Sequence, residues 1–168
     1  MKRQAASLLL LFSLATIATA KEILIEDWDA DFGEWKARLT RTDENPELMI
    51  YEPASGSLEV TVPSTQVTIM RENIELPPDI IKLSLEITPI GKGFKELEVG
   101  IAIYSEGKPL DALGRIKIPE GVENKVVVLP VNIMQHIGSS WNKFAIRLYC
   151  ESNIKVRIDN LKGITREK

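Results

Sequence analysis

The sequence predicts an all-β protein built as an antiparallel β-sandwich, and three observations support this class. Apolar and polar residues alternate over several short segments, which is typical of strands with one buried and one solvated face. Turn-forming residues separate these segments at intervals of about ten residues. Helical periodicity does not intervene between them.

The first 20 residues have the composition of a cleavable export signal. Lys2 and Arg3 precede a largely apolar run over 5–17, and 18–20 (A-T-A) has the small-x-small pattern of a signal peptidase site. The run is shorter than the ~20 apolar residues that span a bilayer. We predict cleavage after Ala20, a secreted or periplasmic location and no stable membrane span in the mature chain. An uncleaved membrane anchor is the alternative.

Removal of residues 1–20 from the 168-residue chain leaves 148 residues, which fits one domain over 21–168. The loss of Lys2 and Arg3 changes the formal net charge from −3 to −5. An evenly acidic chain without a basic stripe is an improbable nucleic-acid binder. Cys150 is the only cysteine, so an internal disulfide and a thiolate zinc site are excluded.

The predicted strands follow one another along the mature chain. Both ends are expected to be short strands, 23–28 and 154–160, that bring the termini together. Between them, the period-two segments are 58–62, 81–87, 97–103, 116–118 and 144–148. Turn signals separate these segments at 53–56, 77–79, 91–93, 106–109, 119–121 and 138–140. A single short helical turn is expected at 131–137, between Pro130 and Gly138.

Three motifs, in this order, resemble those of the jelly-roll carbohydrate-binding modules of the galactose-binding-like superfamily. They are 31–35 (D-F-G-E-W), with a glycine just before a tryptophan that enters a strand, 54–60 (A-S-G-S-L-E-V) and 157–161 (R-I-D-N-L). The resemblance implies a jelly-roll sandwich that binds glycans without catalysis, on a concave face or at loop ends. It also implies a structural calcium ion in many members.

Calcium prefers several carboxylate and carbonyl oxygens. The carboxylates that match the implied site are Glu26 or Asp27 on the first strand and Asp159 on the last, with backbone oxygens near Gly56 as further ligands. The alternative is that Asp159 caps a strand and that Glu26 is solvated.

Sugar recognition requires a flat apolar surface and a few fixed polar groups. Trp35 shares its parity with Ala37 and Leu39, which predicts a position in the core. Trp28, in an acidic loop, and Trp141, after a Gly-Ser-Ser turn, are the predicted stacking residues. Either tryptophan would otherwise close an end of the sandwich.

Two segments have small and polar residues at the alternate positions that are predicted to face outward. These are Glu98, Gly100, Ala102 and Tyr104 on one strand, and Lys143, Ala145, Arg147 and Tyr149 on another. If the two strands are neighbours in the concave sheet, a small-residue floor would be surrounded by polar and aromatic side chains suited to hydroxyl groups. The predicted ring consists of Glu86, Glu98, Tyr104, Arg147 and Tyr149. A solvated face with cross-strand ion pairs is the alternative.

An enzymatic function is not indicated. His136 is the only histidine, and neither a nucleophile motif nor a phosphate-binding glycine loop is present. We therefore predict a secreted, non-catalytic domain that binds a glycan or polysaccharide. The alternative is an envelope or extracellular protein-interaction domain on the same fold.

Overall fold

The computed structural model describes residues 20–28, 31, 33–39, 43–74, 80–105, 108–123, 125–130 and 143–166. Within these ranges, only the backbone is described for 103–114, 126–130 and 166. The structure confirms the predicted all-β class, because the described chain forms two antiparallel sheets. The helical turn expected at 131–137 lies outside the described residues.

Eleven strands follow in chain order: β1 (Ala20–Glu26), β2 (Lys36–Leu39), β3 (Met49–Glu52), β4 (Ser57–Pro63), β5 (Gln66–Glu72), β6 (Ile80–Ile90), β7 (Glu96–Ser105), β8 (Lys108–Pro119), β9 (Lys125–Pro130), β10 (Lys143–Cys150) and β11 (Asn153–Arg166). A 3-10 turn, Pro46–Leu48, precedes β3. The first sheet has the order β3-β4-β11-β6-β9, with β1 also paired to β11. The second sheet has the order β2-β5-β10-β7-β8. Most consecutive strands therefore lie in opposite sheets, as in a jelly roll.

The apolar faces of the two sheets share one core, and the alternation in the sequence determines which side chains enter it. Leu58, Val60 and Val62 of β4 are buried, and so are Phe144, Ile146 and Leu148 of β10. Trp35 is 2% exposed, which confirms its predicted core position. No helix among the described residues is long and apolar enough to cross a bilayer.

The predicted meeting of the chain ends is confirmed, because β1 pairs antiparallel with β11. β11 is the 14-residue strand that joins most of the first sheet. It pairs with β4 from Asn153 to Ile158 and with β1 from Leu161 onward. One strand thus serves two successive partners, while β6 pairs along its other side.

A β-bulge lies at the point where β11 changes partners. Its register with β6 shifts between Asp159 and Lys162, and Asn160 has φ 51°, in the left-handed region that asparagine tolerates better than most residues. Because the bulge adds one residue, Ile158 and Leu161 both face the core although they are three positions apart. The apolar pattern of β11 therefore continues across the change of partner.

Gly163 of β11 is required by close packing against β6. A Cβ atom at this position would lie 2.5 Å from Ile80 Cδ1 and 2.9 Å from Ile80 Cγ1, and Ile80 is buried. A side chain at this position would require the buried side chain of Ile80 to move.

We expect Gly163→Ala to lower the free energy of unfolding by about 1–3 kcal/mol, because overpacking a buried contact forces neighbouring atoms to move. Urea denaturation of Gly163→Ala, Ile80→Ala and the double variant measures the effect. The double variant should be more stable than the sum of the single changes predicts, since Ile80→Ala removes the obstructing atoms. Additive losses would show that the contact with Ile80 is not the cause.

Candidate functional site

The outer face of the second sheet, opposite to its core face, brings together three of the predicted ligand residues, Glu98, Arg147 and Tyr149. β7 and β10 are neighbours, as the sequence interpretation required. Tyr149 lies opposite Glu98, and Arg147 lies opposite Gly100. Their sequence neighbours Ile146 and Leu148 are buried in the core, so Arg147 and Tyr149 project from the other face.

A shallow depression on this face, the Tyr149 depression, is lined by Gln66, Glu98, Gly100, Ile101, Arg115, Arg147 and Tyr149. Tyr149 is 47% exposed, and it is the one exposed aromatic residue among the side chains that the structure describes. Arg115 Nη1 lies 2.8 Å from Glu98 Oε1, so a cross-strand ion pair borders the depression. The arrangement combines a flat apolar ring with several hydrogen-bonding groups.

The small residues of β7 have two different environments. Gly100 lines the Tyr149 depression, which fits the predicted groove floor. Ala102 is fully buried and forms a small cluster with Met70 and Ala145, separate from the main core. This part of the outer face is covered, so the accessible floor is limited to the region around Gly100.

A second depression lies on the same face towards β2, and the sequence interpretation did not include it. Its volume is about 290 Å³, and its lining residues are Glu34, Lys36, Glu44, Met70, Glu72 and Asn73. Met70 lies opposite both Lys36 and Ala145, which connects this depression to the central strands. The outer face therefore has a depression that does not involve the predicted residues.

Cross-strand ion pairs occupy the margins of the face, as the alternative interpretation expected. Lys143 pairs with Glu72 at 2.6 Å, Lys36 pairs with Glu44 at 3.1 Å, and Lys117 pairs with Glu96. The hydrogen bond and charge of Lys143 lower the pKa of Glu72, and those of Glu96 raise the pKa of Lys117. Such exposed pairs contribute little to stability. Three of these charged residues, Lys36, Glu44 and Glu72, line the second depression and not the Tyr149 depression.

Glu86 is not part of this site. The sequence interpretation placed it beside Glu98 and Arg147, but β6 belongs to the first sheet. Glu86 lies there opposite Asp159 of β11. Alternation of apolar and polar residues shows on which face of a strand a side chain lies, but not to which sheet the strand belongs. The predicted position of Glu86 was wrong for this reason.

Trp28 is a core residue rather than a stacking surface. It is 1% exposed, and its ring centroid lies 5.5 Å from that of Trp35, whose ring contacts Phe144 at 6.1 Å. The acidic residues around Trp28 suggested a solvated loop, yet the large apolar ring is more stable when buried against other aromatic rings. Trp141 lies outside the described residues. Tyr104 lies opposite Lys143, and its side chain is not among those described.

Glu26 and Asp159, the carboxylates of the predicted metal site, make different contacts in the structure. Glu26 Oε2 accepts hydrogen bonds from Arg71 Nη1 at 2.6 Å and from Trp35 Nε1 at 3.1 Å. Asp159 follows the core residue Ile158 and therefore faces outward, where its Oδ1 accepts the backbone N–H of Asn160. No cluster of three metal-binding side chains occurs among the described residues. The calcium ion and its ligands stay a prediction.

Glu26 links the two sheets. It lies on β1 of the first sheet, whereas Arg71 lies on β5 of the second. Both side chains are largely shielded, with exposures of 19% for Glu26 and 29% for Arg71. The ion pair closes the sandwich beside the Trp28, Trp35 and Phe144 rings.

The sequence interpretation also missed Gln66 and Arg115, which line the Tyr149 depression. The sequence could have shown that both side chains face outward. Val67 is one residue from Gln66 and Ile118 is three residues from Arg115, and both are core residues, so the alternation places Gln66 and Arg115 on the opposite face. The missing information was strand adjacency. Gln66 lies opposite Tyr149 across β5 and β10, and Arg115 lies opposite Gly100 across β8 and β7.

No protein-family model matches the chain, and no curated protein matches it. Solved structures do match in fold. A family 27 carbohydrate-binding module with specific mannan recognition has TM-score 0.62 and 12% identity, covering 88% of this chain and 99% of that one. A family 11 carbohydrate-binding module from Clostridium thermocellum, in complex with a β-1,3-1,4-mixed-linked tetrasaccharide, has TM-score 0.53 and 13% identity, with coverages of 86% and 95%.

An adhesin domain of Lys-gingipain from Porphyromonas gingivalis W83 also matches, with TM-score 0.50 and 13% identity, covering 89% of this chain and 99% of that one. At these identities the likeness establishes the fold. The protein is a jelly-roll β-sandwich of the kind found in carbohydrate-binding modules, which confirms the architecture implied by the sequence resemblance.

We expect Glu26→Gln to lower the free energy of unfolding by about 1–3 kcal/mol, because it removes a charge-assisted hydrogen bond and leaves Arg71 with the more distant, exposed carboxylate of Glu34 at 3.9 Å. Glu22→Gln is the matched control. Glu22 lies on the same strand and is exposed, with a 3.5 Å contact to Lys162, so its loss should cost under about 1 kcal/mol. Urea denaturation compares the two variants.

Equal losses in the two variants would contradict the proposed link between the sheets. Thermal unfolding of the same proteins, first with EDTA and then with calcium, tests the predicted metal site separately. A calcium-dependent rise in Tm that Glu26→Gln abolishes would assign the carboxylate to a metal instead.

Proposed function

We propose that the mature chain is a secreted, non-catalytic domain that binds a glycan at the Tyr149 depression. The single observation that carries the proposal is the exposed ring of Tyr149 beside Arg147, Gln66 and the Glu98–Arg115 ion pair. The fold supports it, because two of the matching structures are carbohydrate-binding modules.

The chemistry of the depression suits a sugar ring. The face of Tyr149 offers an apolar surface to the C–H groups of a pyranose, and the surrounding groups both donate and accept hydrogen bonds. Guanidinium groups donate, the Glu98 carboxylate accepts, and the Gln66 amide does both. Gly100 has no side chain, so a ligand can approach the backbone of β7 closely.

We expect Tyr149→Ala to weaken glycan binding about tenfold, a loss of about 1.4 kcal/mol, because a central aromatic residue contributes more than its polar neighbours. Isothermal titration calorimetry of the mature chain with mannan and with mixed-linked β-glucan measures the effect. Tyr149→Phe retains the ring and should retain most of the affinity.

Ile50→Ala is the matched control for this experiment. Ile50 is 50% exposed, comparable to Tyr149, but it lies on β3 of the first sheet. Unchanged binding in Tyr149→Ala, or an equal loss in Ile50→Ala, would exclude the Tyr149 depression as the binding site. Circular dichroism of each variant shows whether the fold is retained.

The proposed export has its own test. β1 extends from Ala20, so cleavage after Ala20 would leave Lys21 as the first residue of a strand that pairs with β11. In a bacterial host that secretes the full chain, intact-mass spectrometry should find a protein that begins at Lys21. A chain that retains residues 1–20 and sediments with membranes would support an uncleaved anchor instead.

A protein-interaction function is the second candidate, and two observations favour it. Leu24 on β1 and Ile50 on β3 are 52% and 50% exposed, and both belong to the first sheet. One of the matching structures is an adhesin domain. In this case Leu24→Ser with Ile50→Ser would reduce binding of the chain to purified cell envelopes, while Tyr149→Ala would leave it unchanged.

A further inference from the structure

A row of five residues crosses the outer face of the entire second sheet. Arg38 of β2 lies opposite Thr68 of β5, which lies opposite Arg147 of β10. Arg147 lies opposite Gly100 of β7, and Gly100 lies opposite Arg115 of β8. Three of the five positions are therefore arginines, one on every second strand. We refer to these five residues as the arginine row.

All three arginines project from the outer face. Arg38 follows Ala37, Arg147 lies between Ile146 and Leu148, and Arg115 precedes Ile116, all of which contribute to the core. Successive side chains on a strand point to opposite faces, so the arginines face away from the core.

The spacing along the arginine row is regular. Neighbouring strands lie about 4.8 Å apart, so arginines on every second strand are about 10 Å apart at the backbone. The residues between them are short, since one is a threonine and the other a glycine. A ligand that runs across the strands can therefore meet one guanidinium after another.

The charge of the arginine row differs from that of its surroundings. No residue of the row is acidic, although the chain carries 24 acidic against 21 basic side chains. Lys117 and Lys143 on the same face pair with Glu96 and Glu72. Thr68 and Gly100, the residues opposite Arg147 on its two neighbouring strands, are uncharged. Arg115 pairs with Glu98, two positions along β7 from Gly100, and Arg38 lies opposite Glu44 in an isolated bridge.

We propose that the ligand of this face is an acidic polysaccharide, with uronic-acid carboxylates placed along the arginine row. This inference rests on the glycan-binding function proposed above and specifies its ligand class. The planar guanidinium donates two parallel hydrogen bonds to a carboxylate, which makes arginine suited to this recognition. Tyr149, the next outward residue after Arg147 on β10, supplies the stacking surface for a sugar of the same chain.

The experiment compares two polymers with one backbone. Polygalacturonate carries a carboxylate on every sugar, and its fully methyl-esterified form carries none. In calorimetry with the mature chain, we expect polygalacturonate to bind at least about tenfold more tightly than the ester and than neutral mannan. The affinity should fall several-fold as NaCl rises from about 50 mM to about 500 mM, because salt screens exposed charges.

Arg147→Gln and Arg38→Gln should each weaken polygalacturonate binding about three- to fivefold, as expected for partly exposed ion pairs. Binding of a neutral glucan should change less. Arg157→Gln is the matched control, since Arg157 lies on β11, outward on the first sheet. Thermal unfolding of each variant verifies that the fold is intact.

The outcomes separate this inference from the function on which it rests. If neutral polymers bind as tightly as polygalacturonate and depend on Tyr149, the proposal of an acidic ligand is wrong and the proposal of glycan binding stands. Binding of single-stranded DNA as tight as that of polygalacturonate would overturn it in favour of unspecific polyanion binding. Binding of no polymer would overturn both proposals.

Discussion

The fold depends on a single long strand, β11, that keeps its apolar side chains in the core while it exchanges one partner for another. β4 occupies one edge of the strand up to Ile158, and β1 occupies the same edge from Leu161. A strict period of two across this exchange would turn Leu161 to solvent. The bulge at Asn160 inserts the residue that corrects the parity, at the cost of one left-handed backbone conformation. The two chain ends can then join one sheet without interrupting the core.

The closure of the sandwich explains why several acidic and aromatic residues are unavailable for binding. Trp28, Trp35 and Phe144 pack in series inside the rim, and Glu26 accepts hydrogen bonds there from Trp35 and Arg71. This cluster connects β1 of the first sheet with β5 of the second. Residues that resemble ligand contacts in the sequence thus stabilise the fold. The alternation places the residues that the core does not use on the outer faces, and the proposed site lies on one of them.

That outer face combines two kinds of polar arrangement. At its margins, lysines pair with glutamates on neighbouring strands, which gives a solvated surface with little net field. Across its centre, arginine occurs on every second strand, with Thr68 and Gly100 between. Next to this row lies Tyr149, the one exposed aromatic ring among the described side chains. The coincidence of ring, glycine and guanidinium groups distinguishes this region from an ordinary solvated sheet.

Much of this protein can be predicted from local patterns. Period-two alternation identified the class, most of the strands and the outward parity of Glu98, Arg147 and Tyr149, because the face on which a side chain lies follows from backbone geometry alone. The closing strand was recognised as well, including its pairing with the first. The position of Trp35 in the core followed from the same parity.

Only the tertiary structure decided which strands are neighbours and what covers each face. Glu86 has the correct parity but lies in the other sheet, and Trp28 lies among charged residues in the sequence yet packs on Trp35. Arg38 and Arg115 join Arg147 through pairings between strands that are far apart in the chain. The face to which a side chain points is a local property of each strand and can be predicted from the sequence. Which strands are neighbours depends on the packing of the whole chain, because all the strands contribute to the free energy of forming one core.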